Sequence, residues 1–207
     1  FCHFIVSKDL LVEFLEVAFH GILYYRKIYP EEIFEKQKLY GIGIWVSQHP
    51  DVNEYIDNVL VTIKEIIAIA DNSIKCVNFS ILDSQNEIIE KFVFDLFSIQ
   101  GEAKVADPYF RSTEESLRTI CLKLSIAESY LKPLPEDVTF NIEVETCEEV
   151  HDQINKKPEL EHFPWIIKES QPTDKPPVDN FLLPLHSVKT EHLGLQVFAI
   201  GTQKSES

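Results

Sequence analysis

Methionine is absent from all 207 residues, position 1 included, which sets the expectation that a short N-terminal piece precedes Phe1. Glycine is scarce, with six in the chain. No glycine-rich loop is therefore available to cradle phosphates, and Gly41-Ile-Gly43 lacks both the third glycine and the Lys-Ser/Thr pair of a P-loop. It marks a turn or bulge before Ile44-Trp45-Val46. The four cysteines, Cys2, Cys76, Cys121 and Cys147, lie far apart without CxxC spacing, which argues against a zinc ribbon or a dithiol redox motif. Cys76 and Cys121 fall inside apolar patterns and are expected to be buried thiols. A reducing compartment fits such a chain. Basic residues are outnumbered, 19 Lys and Arg against 34 Asp and Glu, for a net charge of -15. That balance argues against direct, phosphate-driven binding to nucleic acid, which needs cations to displace counterions, and against anionic membranes. No apolar run reaches the roughly 18 residues of a membrane span. The apolar start Phe1–Ser7 lacks the basic residues and cleavage site of a signal peptide. The sequon Asn78-Phe-Ser80 sits in a strand-like run and is discounted.

A catalytic constellation is also missing. Seven histidines are scattered with no HxH or HExxH spacing. His20 falls near the apolar face of a helix and reads as a structural histidine. His186 and His192 share the tail with Ser187 and Glu191, but no strand-turn-helix elbow accompanies them. Glu143, Glu145, Glu148, Glu149 and Asp152 lack the spacing of a calcium loop. They read as a solvated face, with docking of a basic peptide as the alternative. No cofactor, metal or enzymatic activity is expected.

Three segments carry helical periodicity. In Lys8–Lys27, Leu11, Phe14, Leu15, Ala18, Ile22 and Tyr25 recur at three- and four-residue steps, with Ser7 as the expected N-cap. Val52, Tyr55, Ile56, Val59, Leu60, Ile63, Ile66 and Ile67 form a wide stripe behind Pro50, a first-turn proline. Leu117, Ile120, Cys121, Leu124, Ala127 and Leu131 form the third stripe, and Ser112-x-x-Glu115 has capping-box spacing. Between the second and third helices, Ile74–Leu82 and Ile88–Leu96 flank the turn Asp83–Asn86 and predict a hairpin. Val138, Phe140, Ile142 and Val144 alternate with polar residues, as in a strand with one wet face. The expected fold class is α+β: three helices packed on an antiparallel sheet.

The last quarter is different in character. Strand-like runs at Glu161–Ile167, Phe181–Leu185 and Leu193–Ala199 are separated by a polar stretch carrying Pro172, Pro176 and Pro177. Such a tail can move between docked positions and close over a ligand. A boundary is expected near Cys147, giving a compact part over 1–147 and a mobile segment over 148–207. Aromatic groups suit proline-containing peptides, and Trp165 with Tyr55 are the candidate walls of such a groove.

Val12–Ala18, Tyr24-x-Arg26-x-x-Tyr29-Pro30, His49-Pro50-x-x-Asn53-x-Tyr55, Glu90–Phe94, Phe163-Pro-Trp-Ile166 and Leu182-x-Pro184-Leu185 together resemble the HORMA-domain accessory subunits of translesion DNA polymerase zeta. These are mitotic-arrest-deficient-like relatives of the spindle-checkpoint HORMA protein, and the match is colinear over nearly the whole chain. The resemblance implies a single HORMA domain over 1–207, with 148–207 as a safety belt that wraps a partner peptide added to the sheet edge. It implies a non-catalytic adaptor, nuclear or also cytoplasmic, in DNA damage tolerance. Tyr55 and Trp165 would contact a proline-containing peptide of the polymerase catalytic subunit. Leu182, Gln196 and Phe198 would receive the C-terminal domain of a deoxycytidyl-transferase translesion polymerase. Phe198 replaces a usual tyrosine and His186 a usual lysine. Lys36 and Arg118 match a HORMA dimer surface, while Lys27 stands where glutamate is usual. That inverted charge leaves a different pairing, or a monomer, as alternatives to homodimerisation. Other HORMA partners and a remodelling ATPase are further implied. The competing reading is a spindle-checkpoint-like switch that binds a cell-cycle regulator.

Overall fold

The computed structural model describes residues 2–70, 73–97, 107, 109–147, 150, 180–191 and 193–202. Their order is α1 (Cys2–Tyr25), β1 (Phe34–Leu39), β2 (Ile42–Ser47), α2 (Pro50–Ile69), β3 (Ile74–Leu82), β4 (Ile88–Leu96), α3 (Arg111–Ala127), β5 (Thr139–Thr146), β6 (Asn180–Lys189) and β7 (Gly194–Thr202). β1 and β2 form a small hairpin, and the other strands make an antiparallel sheet ordered β5-β3-β4-β7-β6.

α1 is enclosed. Leu11, Phe14, Leu15, Val17, Ala18, Phe19, Ile22 and Leu23 are all buried, so the helix is apolar over most of its circumference. It packs on α2, α3 and β2. Toward the sheet, the Phe19 ring lies 5.6 Å from Phe79 and 5.8 Å from Phe94, and Phe14 meets Phe94 edge-on at 6.1 Å. Edge-to-face aromatic packing of this kind adds to plain area burial. Arg26, just past the helix, is buried and makes a two-pronged ion pair with Glu90 of β4 at 2.7 and 2.9 Å. The same guanidinium donates to the Lys132 carbonyl at 2.7 Å, so the pair joins helix, sheet and the segment after α3.

Several sequence expectations need correction. α1 begins at Cys2, and Ser7 lies inside it rather than capping it. The residues before Ser7 carry no break, so the helix runs through. α1 ends at Tyr25 in a Schellman motif: Ile28 N–H donates to the Leu23 carbonyl and Lys27 N–H to that of Tyr24. Lys27 holds the left-handed position at φ 55°. α3 ends at Ala127 rather than Leu131, and no side chain at its own N-cap bonds the first turn. Asp107 does that work from outside, accepting from Ser112 and Thr113 N–H at 3.1 and 2.8 Å. The proposed box of Ser112 and Glu115 is therefore not formed as a cap; Ser112 is the second residue of the helix. Cys76 is half-buried rather than buried, because its strand position faces away from the helices. Strand β1 has no counterpart among the sequence expectations. Pro50 opens α2 as expected, and β3 and β4 have the predicted limits.

Candidate functional site

β5 bounds the large sheet, and among the described residues its paired neighbour is β3. The Ile142 N–H donates not to β3 but to the Tyr55 hydroxyl at 3.2 Å. In an antiparallel ladder, amides alternate between the two sides of a strand, so this one is directed to the outer edge. Tyr55, one turn into α2, thus stands against the outer edge of the sheet. Its ring packs edge-on against Phe140 at 5.5 Å, and Phe140 stacks on Phe79 at 5.0 Å. Burial raises the Tyr55 phenol above its ordinary pKa, and the Ile142 amide opposes the rise. The hydroxyl therefore stays protonated at neutral pH.

The start of α2 is held by a second set of bonds. His20 Nδ1 accepts from Ser47 N–H at 3.3 Å, Ser47 Oγ accepts from His49 N–H at 3.1 Å, and Asn53 Nδ2 donates to the Ser47 carbonyl at 2.9 Å. Burial lowers the His20 pKa to about 4, so the imidazole is neutral and can accept. The structural role expected for His20 is the one found. Trp165, the other expected peptide contact, lies outside the described residues, as do His192 and Glu148, Glu149 and Asp152 of the acidic cluster. Glu143 and Glu145 are matched by Lys91 and Lys75 at 3.8 and 3.6 Å, as suits a solvated face.

The last two strands of the tail are present and longer than predicted, while the run Glu161–Ile167 lies outside the described residues. β6 continues through Pro184 to Lys189 by a bulge at Leu185, and β7 docks on β4, the opposite side of the sheet from β5. Val197 and Ala199 are buried toward the helices. Alternation along β7 then turns Gln196, Phe198 and Ile200 to the other face. Leu182 pairs across Ile200 and Pro184 across Phe198. The three residues expected to receive a second polymerase therefore share one outer face, where Leu182 is 56% exposed. His186 has its pKa lowered by burial and by the nearby Lys123.

The remaining candidates flank a third surface. Lys36 lies over the Trp45 ring at 5.6 Å, and Trp45 stacks on Tyr24 at 4.2 Å. Gly43 makes room for this: a Cβ there would stand 2.4 Å from Lys36 Cε. A shallow groove between α1, β2 and α3 is lined by Tyr25, Trp45, Cys121 and Leu122. Arg118 is one turn before Leu122 and pairs with Glu115 at 3.6 Å. Lys27 pairs with Glu128 at 3.0 Å. Sequence reasoning missed Leu122 and Ile126, which are 49% and 52% exposed. Their signal was available: both are apolar, four residues apart, and lie off the buried stripe of α3.

The HORMA domain family model matches residues 7–155. The chain belongs to the HORMA family. Mitotic spindle assembly checkpoint protein MAD2B of Homo sapiens is 34% identical over 193 residues, covering 93% of this chain and 90% of that protein. DNA polymerase zeta subunit 2 of Drosophila melanogaster is 26% identical, covering 93% of this chain and 95% of that one. The DNA polymerase zeta processivity subunit of Arabidopsis thaliana is 27% identical over 91% of this chain and 82% of its own. In fold, a chain of the mitotic checkpoint complex superposes with a TM-score of 0.75 at 21% identity, covering 95% of this chain and 98% of that chain. C. elegans HTP-1 bound to HTP-3 motif-1 superposes at 0.67 and 19% identity, covering 96% and 91%. The α+β HORMA fold expected from the sequence is the one observed.

Proposed function

We propose that this HORMA protein is a non-catalytic adaptor subunit of DNA polymerase zeta, acting in the nucleus. A proline-containing peptide of the catalytic subunit adds as a strand to the β5 edge, beneath the belt formed within 148–207. Tyr55 and Trp165 contact that peptide. The outer face of the tail hairpin, through Leu182, Gln196 and Phe198, takes the C-terminal domain of a second translesion polymerase. The surface around Lys36, Arg118 and Lys27 serves pairing with other HORMA domains.

One observation carries the reading: Tyr55 reaches the outward amide of Ile142 on the edge strand. A strand added there takes the Ile142 amide over from the Tyr55 hydroxyl and gains affinity through the backbone, while side-chain pockets confer specificity. The names of the fly and plant relatives support polymerase zeta as the setting. A structural neighbour bound to a peptide motif supports the mode. Isothermal titration with a proline-containing peptide of the catalytic subunit tests it. Tight binding that is lost in Tyr55→Ala and in Trp165→Ala is the expected result. A wild-type protein that ignores this peptide and binds a checkpoint-regulator peptide would instead establish the second reading, a spindle-checkpoint-like switch, which the names of the vertebrate relatives favour.

A further inference from the structure

The tail hairpin is gripped by α3 at two places. Midway along the helix, Lys123 Nζ donates to the Leu185 carbonyl at the β6 bulge. At the helix start, the β6–β7 turn meets a buried polar relay. Thr113 N–H and Thr113 Oγ1–H both donate to Asp107 Oδ2 at 2.8 Å. Because the Thr113 proton is committed to that carboxyl group, the 2.9 Å contact between Thr113 Oγ1 and Thr190 Oγ1 has Thr190 as its donor. Thr190 Oγ1 in turn accepts from Leu193 N–H at 3.3 Å. The hydrogens point one way, from Leu193 through Thr190 and Thr113 to Asp107, so each bond polarises the next. Glu191 closes the circuit by accepting from Asp107 N–H at 2.7 Å. Asp107, Thr113 and Thr190 are all buried.

Hydroxyls buried in series are costly unless every partner is present, so the arrangement is close to all-or-none. It sits beside a strained joint, since Phe110 begins α3 at φ 57° in the left-handed region. The turn itself is locally closed by Thr190 N–H to the Leu193 carbonyl.

We propose that the relay Asp107–Thr113–Thr190 is a release latch that sets how long the tail hairpin stays docked on β4. The latch acts on the hairpin that carries Leu182, Gln196 and Phe198. Where the belt closes over a peptide, an inference resting on the function proposed above, the latch also sets the peptide's residence time.

Hydrogen exchange of the full chain without peptide tests the latch apart from the clamp. In Thr190→Val, the β7 amides that pair with β4 are expected to exchange about tenfold faster, with β3 and β5 amides unchanged. Thr190→Ser, which keeps the hydroxyl, restores the wild-type rate, and Asp107→Asn repeats the Thr190→Val pattern. Equal acceleration in β3 and β7 would reduce the relay to ordinary global stability and overturn the proposal, as would unchanged β7 rates. A second arm measures dissociation of the catalytic-subunit peptide, expected to quicken in step with β7 exchange. Fast β7 exchange in a protein that binds no such peptide refutes the clamp and leaves the latch standing.

Discussion

β5 and β6 bound the same sheet, with eight and ten residues respectively, yet their edges are built to opposite ends. β6 carries Pro184, which has no amide to offer, then a bulge at Leu185, whose carbonyl is taken by Lys123 of α3. Proline, bulges and covering side chains are the devices that blunt an edge strand against unwanted pairing. Among the described residues, β5 has neither a proline nor a bulge of its own between Thr139 and Thr146, its register irregularity with β3 lies near Ile74 and Cys76, and its cover is the Tyr55 hydroxyl on the Ile142 amide. On the function proposed above, this less guarded edge, whose Ile142 amide is held by a phenol, is the one that takes an added strand. The blunted edge belongs to the hairpin that must instead stay docked. On that reading, one fold separates strand addition from hairpin retention by placing them at opposite sides of the sheet.

The largest perturbation falls at the seam between these halves. Arg26 and Glu90 are each 3% exposed at the side chain, and burial pushes the Glu90 carboxyl upward while Arg26 opposes the rise. Gly201 of β7 lies against Glu90, where a Cβ would stand 3.3 Å from Glu90 Cγ. Glu90→Ala strands the guanidinium without its partner, and urea unfolding should register a loss of about 3–5 kcal/mol. A loss below 1 kcal/mol would mean that the seam does not depend on the pair.

Acid should weaken the β5 side next. His20 is neutral when folded, with a pKa of about 4 against 6.5 for an unperturbed histidine. Above pH 6.5 the imidazole is neutral in both states and contributes no pH dependence. Below it, the unfolded chain binds a proton that the folded chain refuses, so stability falls as pH drops toward 4. The two and a half units correspond to about 3 kcal/mol. The effect acts through Ser47 on the start of α2, which presents Tyr55. His20→Gln should remove most of that slope in denaturation curves taken across this range; an unchanged slope would assign the acid sensitivity elsewhere.

A smaller effect is expected from Gly194→Ala at the start of β7. The added Cβ would meet the Phe97 carbonyl oxygen at 2.2 Å, and backbone cannot yield as a flexible side chain does. A cost of about 1–3 kcal/mol follows. Hydrogen exchange should place it in β6 and β7 and leave β5 protected. Uniform loss of protection would show that the two edges are not separable.

Much of this architecture was legible. β3 and β4 declared themselves through β-branched and aromatic runs around a polar turn, and Pro50 marked the start of α2. Cap positions were not legible, for a physical reason. Ser7 has cap chemistry, but capping also needs a break before it, and Phe4-Ile5-Val6 supplies none. The first turn of α3 is satisfied by Asp107, outside the window in which a capping box is sought. β1 escaped because after Phe34 it shows four exposed residues in succession, with no alternation to detect. At the candidate site, the bond between Tyr55 and Ile142 spans 87 residues. Periodicity can place each residue on its element but cannot say that the two elements meet. Tyr55 was singled out as a groove wall and by resemblance, and the edge geometry behind it came only with the fold.

The finest test of the edge comparison is Pro184→Thr. It restores an amide to the middle of β6 while keeping a residue suited to strands. Pro184 is exposed and on an edge, so its replacement should shift unfolding stability by no more than about 0.5 kcal/mol. The consequence should appear instead in association. With the proline gone, the strand offers one more donor to a passing chain, and light scattering at raised protein concentration should detect self-association beyond that of the wild type. Peptide binding at β5 should be untouched, because the substitution lies across the sheet from Tyr55. If Pro184→Thr associates no more than the wild type, the bulge at Leu185 and the lysine that covers it are sufficient to blunt the edge without the proline. Combining it with Lys123→Ala, which frees the Leu185 carbonyl, would then expose the edge in full.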